Sequence, residues 1–349
     1  METPGSRAVA ILPGGTRPRA FVVGTQGNEY PQEIFSPEVR AKFGAFIDLD
    51  SRVVTPQNFG SLRHDLASAE ILLGTWGFPV DLASALAALP KLRLVLYGAG
   101  SVKGFAEPFL QRGIPVVGGR DANAVAVAEF CLAQIILCNK GYFRNTRMCR
   151  AVETAHQSVA YTGSGNYGET IALLGYGAIA RRLRKMLHLL CLRVLVVDPT
   201  IDSVIAQKEQ IQLVSLDDAF ANASVVSNHL PDLAQLELAI TGRHFRLMRP
   251  SASFINTGRG RQVDESALAE VFREREDLTA LLDVTRIEPP DRESPLYSLP
   301  NVQISSHIAG VVGDERRRLT DLLLQELSRF LCVEPLQHAS RIQDLELMA

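Results

Sequence analysis

Three residues with chemically useful side chains follow separate apolar segments in the second half of the chain. They are Arg259, Glu288 and His307. An arginine guanidinium is permanently cationic, and its planar fork suits a carboxylate or a polarised carbonyl. A histidine can protonate a developing alkoxide and take the proton back, and a neighbouring carboxylate would orient the ring and favour its protonated form. If the fold brings the three together, they would suit the reduction of a 2-keto acid.

A second group of residues has the spacing of a dinucleotide-binding loop. An apolar run leads directly into Gly175-Tyr-Gly177-Ala-Ile-Ala180, a G-x-G-x-x-A sequence that opens a predicted helix. Gly175 allows the tight turn, Gly177 lets the backbone approach a pyrophosphate, and Ala180 lets helix and strand pack closely. The unpaired N–H groups at the start of the helix, at Ala178 and Ile179, would bind the phosphates.

An acidic residue lies at the end of the second predicted strand, a position that determines whether NAD or NADP is bound. Asp198 ends the next predicted strand, 21 residues after Gly177. A carboxylate at this point accepts hydrogen bonds from the adenosine ribose hydroxyls and repels a 2′-phosphate. Pro199 and Thr200 bring no basic residue that would reverse this preference, so the sequence predicts NAD rather than NADP.

These residues belong to a series of predicted β-strands separated by helical patterns. The strands are expected at Thr170–Leu174, Arg193–Val197, Gln212–Val214, Ser224–Ser227, Ser253–Asn256, Thr279–Val284 and Val302–Ser305. In an open parallel sheet, ligands bind at the carboxyl ends of the strands. Arg259, Glu288 and His307 all follow strand ends, and we expect them to converge around a bound nicotinamide.

The first third of the chain also alternates short apolar runs with amphipathic segments, which predicts another parallel α/β sheet. Its strands are expected at Arg19–Val23, Ala45–Leu49, Glu70–Leu73, Leu92–Tyr97 and Ile114–Val117, and its helices at Ser36–Phe43 and Asp81–Ala88. A long apolar helix, Val125–Leu137, leads into the second series, and the helix Glu315–Leu331 follows it. We expect residues 1–122 and 308–349 to form a flavodoxin-like substrate domain. We expect a Rossmann NAD-binding domain, residues 123–307, to be inserted into it.

The composition fits a soluble α/β protein and excludes several classes of partner. Thirty-six basic and 38 acidic side chains give a net charge of −2, which provides no electrostatic footprint for nucleic acid or an anionic membrane. No uncharged apolar run reaches the roughly 18 residues needed to span a bilayer, and the patch Ala8–Leu12 is too short for a secretory signal.

The remaining reactive or charged residues are interpreted as structural. The five cysteines are odd in number and lack a C-x-x-C pair, which indicates thiols in a reducing compartment. The histidines show no metal-binding spacing, and the basic run Arg181–Lys185 is interpreted as the solvated face of a helix. We therefore expect a cytoplasmic protein without a metal, nucleic-acid or membrane partner.

Taken in order, several stretches resemble the D-isomer-specific 2-hydroxyacid dehydrogenase family, which includes enzymes of the glycerate, hydroxypyruvate and phosphoglycerate dehydrogenase type. The stretches are Val127–Glu129, the glycine loop with Asp198, Ser227–Pro231, Asn256–Gly260, Asp283 to Pro289 and His307–Gly310. The resemblance implies that Arg259 binds the substrate, that His307 is the acid/base and that Glu288 is the partner of His307. It also implies that Asp283 holds the nicotinamide carboxamide. The implied cofactor site further includes His229, Pro231, Thr257 and Gly310.

The resemblance also places two loops of the first domain, Gly74–Gly77 and Tyr97–Ser101, over the nicotinamide. The candidate substrate contacts in these loops are Trp76, Gly77, Ala99, Gly100 and Ser101. Backbone N–H groups near the glycines would bind the substrate carboxylate. Trp76 is interpreted either as a wall of the pocket or as an ordinary packing residue.

The leading hypothesis is an NAD-dependent oxidoreductase that interconverts a 2-keto acid and its (R)-2-hydroxy acid, with the homodimer that is usual in the family. The alternative is an NAD(H)-sensing binding protein or corepressor on the same scaffold. Formate oxidation is disfavoured, because that branch is expected to carry glutamine in place of Glu288. Glyoxylate, hydroxypyruvate, pyruvate-like and bulkier keto acids all stay open as substrates.

Overall fold

The computed structural model of the chain describes residues 17–25, 27–79, 85–152 and 165–345. Contacts between Cα atoms divide the chain into two compact units. The first holds the described residues up to Asn123 and those from Gly313 onward, and the second spans Ala124–Val312. The domain limits expected from the sequence, 122/123 and 307/308, lie one and five residues before these boundaries.

The first unit is built on a five-stranded, fully parallel sheet. Its strands are β1 (Arg19–Val23), β2 (Asp48–Val54), β3 (Ile71–Gly74), β4 (Leu94–Tyr97) and β5 (Val116–Gly118). They lie in the order β2-β1-β3-β4-β5, the flavodoxin-like order of a doubly wound sheet. The strands β3 and β4 are buried along their whole length, as in a sheet that is covered by helices on both faces.

Short helices and one long helix complete the first unit. They are α1 (Tyr30–Ile34), α2 (Pro37–Gly44), α3 (Phe59–Leu66), α4 (Glu107–Gln111), α12 (Arg317–Leu331) and α13 (Ile342–Leu345), with a 3-10 turn at Ala85–Ala88. Helix α12 returns the chain to this unit and buries Leu319, Leu323 and Leu327 completely. Gly119 permits this packing, because a Cβ there would lie 2.7 Å from Leu319.

The second unit contains a seven-stranded parallel sheet. Its strands are β6 (Thr170–Leu174), β7 (Arg193–Val197), β8 (Gln212–Leu213), β9 (Val225–Asn228), β10 (Ser253–Asn256), β11 (Thr279–Leu282) and β12 (Val302–Ile304). The order is β12-β11-β10-β9-β6-β7-β8, so the direction of winding reverses between β6 and β9. This is the Rossmann arrangement, in which ligands bind beside that reversal at the carboxyl ends of the strands. The fold class expected from the sequence, two doubly wound parallel sheets, is confirmed.

Helices cover both faces of the second sheet. They are α5 (Arg120–Asn139), α6 (Tyr142–Met148), α7 (Ala178–Leu187), α8 (Ser203–Lys208), α9 (Leu216–Asn222), α10 (Gly242–Leu247) and α11 (Glu265–Glu274). Among the described helices, α5 is long and apolar enough to cross a membrane. Core helices of soluble proteins often have the same length and composition. Here Cys131, Ile135 and Cys138 of α5 pack into the core formed with Ile171 and Leu173 of β6.

Several predicted elements match the structure and one differs clearly. The strands β1, β6, β7 and β10 have the predicted bounds, whereas the strand predicted at Ala45–Leu49 runs over Asp48–Val54 instead. Phe46 and Ile47 still donate backbone hydrogen bonds to Phe43, so the chain is turning out of α2 there. The edge strand β2 is mostly polar, and an apolar pattern therefore could not locate it.

Two sequence predictions fall outside the described residues. The apolar patch Ala8–Leu12 is one, and residues 81–84 of the helix predicted at Asp81–Ala88 are the other.

Candidate active site

The glycine loop connects β6 to α7 and depends on glycine at its first position. Gly175 has a φ of +81°, and a Cβ there would lie 2.7 Å from the carbonyl oxygen of His229. A side chain would therefore meet both an unfavourable backbone conformation and the neighbouring main chain. Gly177 is the exposed N-cap of α7, and a Cβ on it would meet no atom within 4 Å. The loop thus leaves open space in front of the helix N-terminus.

The first turn of α7 supplies the backbone groups expected to hold phosphate. Ala178 and Ile179 are partly exposed, while Ala180 is fully buried in the core, as its place in the motif requires. The first N–H groups of a helix have no partner within the helix and lie at the positive end of its dipole. The arrangement fits a dinucleotide pyrophosphate.

Asp198 ties the end of β7 to the glycine loop. Its Oδ2 accepts the N–H of Tyr176 at 2.8 Å, and its Oδ1 accepts the N–H and the hydroxyl of Thr200 at 2.9 and 2.6 Å. A carboxylate offers about four acceptor positions, so one stays available on Oδ2. The side chain is partly exposed and can therefore also meet a ribose hydroxyl.

The basic run of α7 is less solvated than the sequence suggested. Arg181 forms an ion pair with Glu209 and lies over the ring of Tyr176, 4.7 Å from its centroid. The Tyr176 hydroxyl donates to Glu209 at 2.5 Å, and burial together with this carboxylate raises the pKa of the phenol. Arg184 is buried. Part of this run is therefore structural.

Neighbouring strands bring Arg259, Glu288 and His307 to one edge of the sheet. In the sheet register, Asn256 of β10 pairs with Leu282 of β11, and Leu282 pairs with Ile304 of β12. Arg259 follows β10 by three residues, Glu288 follows β11 by six, and His307 follows β12 by three. All three thus leave the carboxyl ends of adjacent strands.

Glu288 and His307 are in direct contact. Oε2 of Glu288 lies 2.7 Å from Nδ1 of His307, and the side chains are 41% and 54% exposed. The contact engages one ring nitrogen and leaves Nε2 for another partner. His307 has a φ of +58°, which is uncommon for a residue other than glycine.

Asp283 holds the loop that carries His307. Its Oδ1 accepts the Ser305 hydroxyl at 2.6 Å and the Ile308 N–H at 2.8 Å, and its Oδ2 accepts the Ala309 N–H at 2.9 Å. The His307 N–H donates to the Asp283 carbonyl at 3.0 Å. Asp283 is only 2% exposed, so the chain itself uses most of its acceptor capacity. Its predicted bond to the nicotinamide carboxamide stays a prediction, as does the role of the partly exposed Gly310.

A buried amide network fixes the loop that carries Arg259. Asn228 Nδ2 donates to Asn256 Oδ1 at 3.0 Å and to Gln262 Oε1 at 2.8 Å, and all three side chains are buried. Asn256 Oδ1 also accepts the Gly258 N–H at 3.1 Å. Sequence reasoning missed this network. The available signal was an asparagine at the end of each of two apolar strands, with a glutamine shortly after the second.

Gly260 sets the contact between the Arg259 loop and the chain after β11. A Cβ at this position would lie 1.9 Å from the carbonyl carbon of Thr285. The guanidinium of Arg259 donates from Nη1 to the Gly258 carbonyl at 2.9 Å, and its Nε lies 3.5 Å from Asp232. Asp232 is a further residue that sequence reasoning missed.

His229 is buried, and both of its ring nitrogens lie close to hydroxyl groups. Its Nε2 lies 2.9 Å from the Ser227 hydroxyl and its Nδ1 lies 3.5 Å from the Thr257 hydroxyl, which is in turn 3.4 Å from Cys131 Sγ. Burial lowers the pKa of His229 to about 4 and raises the pKa of the Cys131 thiol to about 12. His229 is therefore neutral at neutral pH. The nearby carbonyl of Pro231 accepts a hydrogen bond from Gln262 at 2.7 Å.

The predicted substrate loops belong to the first unit and follow adjacent strands. Asn28 donates to the Trp76 carbonyl at 2.5 Å, and Thr25 donates to the Gly77 carbonyl at 2.6 Å. The Trp76 ring packs against Tyr30, with 5.3 Å between the centroids. In the loop after β4, Ala99 is buried, while Gly100 and Ser101 are partly exposed.

The described part of the chain contains no group of three or more His, Cys, Asp or Glu side chains that could hold a metal ion.

Comparison with known proteins identifies the family. The model for the NAD-binding domain of D-isomer specific 2-hydroxyacid dehydrogenases matches residues 132–309. The (S)-sulfolactate dehydrogenase of Chromohalobacter salexigens is 31% identical over 250 residues, which are 71% of this chain and 80% of that protein. The D-3-phosphoglycerate dehydrogenase of Mycobacterium leprae is 29% identical over 251 residues, or 72% of this chain. The aligned region is 47% of that protein, so the match spans about half of its length.

Solved structures agree with this at the level of the fold. The D-mandelate dehydrogenase of Rhodotorula graminis superposes with a TM-score of 0.74 at 20% identity, over 93% of this chain and 98% of that one. A D-2-hydroxyisocaproate dehydrogenase superposes with a TM-score of 0.70 at 19% identity, over 92% and 99% of the two chains. The chain belongs to the D-isomer-specific 2-hydroxyacid dehydrogenases, a family of NAD-dependent oxidoreductases.

Proposed function

We propose that the protein interconverts a 2-keto acid and the corresponding (R)-2-hydroxy acid, with NAD(H) as the redox partner. The observation that carries the proposal is the 2.7 Å contact between His307 and Glu288 at the carboxyl edge of the NAD-binding sheet. A histidine held by a carboxylate and open to solvent can exchange a proton with a substrate oxygen. The family match supports hydride transfer as the accompanying chemistry.

The residues around the glycine loop suit NAD(H), which when bound supplies or accepts the hydride. Gly175 and Gly177 keep the approach to α7 open, and the first N–H groups of that helix face it. Asp198 keeps an acceptor for the adenosine ribose. Backbone at His229, Pro231 and Thr257 is proposed to line the rest of the cofactor.

His307 and Arg259 have different roles toward the substrate: His307 transfers a proton, and Arg259 binds the carboxylate. Glu288 engages Nδ1 of His307, so Nε2 is the nitrogen that gives a proton to the carbonyl oxygen during reduction and takes it back during oxidation. Glu288 stabilises the imidazolium that the reverse reaction forms. Arg259 binds the substrate carboxylate through its guanidinium.

The named relatives are consistent with the proposed stereochemistry. In sulfolactate, the sulfur atom raises the CH₂ substituent above the carboxyl group in the priority rules. The arrangement called (R) in lactate is therefore called (S) in sulfolactate. The (S)-sulfolactate dehydrogenase relative thus fits an enzyme of the D-isomer family.

The substrate side chain is proposed to meet the loops of the first unit at Trp76, Gly77, Ala99, Gly100 and Ser101. The aromatic pair of Trp76 and Tyr30 would give this region an apolar wall. Replacing Trp76 by alanine should then change the ranking of keto acids by kcat/KM more than the KM for NADH.

We further propose a cytoplasmic homodimer. Helix α5 and the residues after it expose apolar side chains, among them Leu137, Tyr142, Met148 and Val152. Contiguous exposed apolar patches are typical of subunit interfaces, and these side chains are the proposed candidates for one. Light scattering on the purified protein tests the dimer, and cell fractionation tests the compartment.

The direct test of the proposed function is NADH oxidation at 340 nm with glyoxylate, hydroxypyruvate, pyruvate and bulkier 2-keto acids. We expect turnover with at least one of them. For every keto acid except glyoxylate, whose product glycolate is achiral, we expect the (R)-2-hydroxy acid as product, identified by chiral chromatography. Tight NADH binding without turnover of any keto acid would contradict the proposal and favour an NAD(H)-sensing binding protein.

A further inference from the structure

Asp232 lies between the guanidinium groups of two arginines. Its Oδ2 is 3.5 Å from Nε of Arg259, and its Oδ1 is 2.5 Å from Nη2 of Arg261. All three side chains are about one-third exposed. Ion pairs at such exposure contribute little to folding stability, so stability alone gives little reason for the arrangement.

The backbone that carries these side chains is fixed on both sides. The Pro231 carbonyl, next to Asp232, accepts Nε2 of Gln262 at 2.7 Å and the N–H of Leu233 at 3.0 Å. The Arg261 carbonyl accepts the N–H of Leu238 at 2.9 Å. The backbone from which Asp232 and Arg261 project is thus held by hydrogen bonds on both sides of the cluster.

The contacts of Arg259 are asymmetric. Nε faces Asp232, and Nη1 donates to the Gly258 carbonyl at 2.9 Å. Among the described residues, these two contacts hold one side of the guanidinium and leave Nη2 to a ligand. An arginine that is already held loses less side-chain freedom on binding than a free one.

We propose that Asp232 is a positioning residue for the substrate arginine. It holds Nε of Arg259 so that Nη2 faces the substrate carboxylate, while Arg261 offsets the charge of Asp232. The three side chains then carry one net positive charge, which matches one carboxylate. This inference rests on the proposed function, in which Arg259 binds a 2-keto acid.

Substitutions can separate the effect of the negative charge of Asp232 from the effect of its contact with Arg259. In Asp232→Ala, Arg259 loses its partner, and we expect the KM for the keto acid to rise about tenfold with a smaller change in kcat. Asp232→Asn keeps an oxygen beside Nε but removes the charge, and it should restore part of this loss. The KM for NADH should stay unchanged in both variants.

A double-mutant cycle tests whether Asp232 acts through Arg259. Wild type, Asp232→Ala, Arg259→Ala and the double variant are compared by kcat/KM for the keto acid. The same four proteins are compared by the Kd of oxamate, a carboxylate mimic of a 2-keto acid, in the presence of NADH. Asp217→Ala, which breaks the ion pair with Arg243 in the same unit, is the matched control.

We expect Asp232→Ala to have no further effect once Arg259 is alanine, and the control to match the wild type. Additive losses in an active enzyme would overturn the role of Asp232 and leave the proposed function intact. A wild type that neither reduces any keto acid nor binds oxamate would overturn the proposed function and this inference together.

Discussion

Two corners of the NAD-binding unit are built around an aspartate that follows a strand. The glycine-loop corner contains residues 175–180 with Asp198, and the histidine corner contains Asp283, Glu288 and residues 305–309. In the first, Asp198 accepts the N–H of Tyr176 from the neighbouring loop. In the second, Asp283 accepts two N–H groups and a hydroxyl from the loop after β12.

The two aspartates differ in how much hydrogen-bond acceptor capacity they keep for a ligand. Asp198 is partly exposed and keeps an acceptor for a ligand, whereas Asp283 is buried and is largely occupied by its own chain. The glycine loop presents backbone N–H groups, while the loop after β12 presents the side chain of His307. One aspartate should therefore affect cofactor choice, and the other should affect the position of the proton donor.

The largest effect should come from the side chain that the histidine corner presents. His307→Ala removes the proposed acid/base and should lower kcat by about 10²–10⁴-fold. Steady-state kinetics with saturating NADH measure this, with His64→Ala, an exposed histidine of the first unit, as the control. Near-wild-type turnover in His307→Ala would remove the assigned mechanism.

Asp283→Asn should have the next largest effect. The amide would turn an N–H toward groups that are themselves donors, at a cost of about 1–3 kcal/mol for each group left unpaired. We expect kcat to fall about 100-fold. A rise in the KM for NADH as well would support the predicted bond between Asp283 and the nicotinamide carboxamide. Asp277→Asn is the matched control, because Asp277 also accepts a backbone N–H, from Ser251. A kcat within twofold of wild type would show that Asp283 does not position His307.

His229 lies beside the glycine-loop corner, and its burial predicts a pH dependence of stability. Its backbone borders Gly175 and its ring contacts Thr257. The unfolded chain takes up the proton near pH 6.5 and the folded chain only near pH 4, because burial lowers the pKa of His229. The unfolded state holds more protons in this window. The free energy of unfolding should therefore decrease as the pH falls, by about 3 kcal/mol at pH 4.

Urea unfolding between pH 4 and 7 measures this slope. We expect His229→Gln to lose that part of the pH dependence, and the exposed-site control His64→Gln to keep it. Equal slopes in wild type and His229→Gln would refute the buried neutral histidine.

The smallest effect should come from Asp198→Ala. Removing a partly exposed carboxylate takes away a repulsion of about 1 kcal/mol against a 2′-phosphate, so the preference for NADH over NADPH should fall about fivefold. The ratio of kcat/KM for the two cofactors measures this, and an unchanged ratio would refute the ribose assignment. Asp217→Ala serves again as the control.

Much of the fold could be predicted because it depends on local pattern. The strand β6, the glycine loop and α7 were located from an apolar run, two glycines and a small residue. Sequence analysis also placed Arg259, Glu288 and His307 at strand ends, because parallel strands share an edge. The polar edge strand β2 has no such pattern and was misplaced by several residues.

The missed parts of the candidate site depend on contacts between distant segments. The approach of Asp232 to Arg259 requires the loops after β9 and β10 to be folded. The occupation of Asp283 by residues of the loop after β12 is equally invisible in a motif, which shows only that an aspartate is present. Motifs thus indicate which residues matter, and tertiary hydrogen bonds decide what each is free to do.

The absent side chain at Gly260 limits how this site can evolve. Main chain touches main chain between this glycine and Thr285, so no other amino acid fits without pushing the two loops apart. Variants that adapt the enzyme to a new acid must therefore keep this backbone contact and change the side chains around it. Library design for altered selectivity should keep position 260 constant and randomise elsewhere.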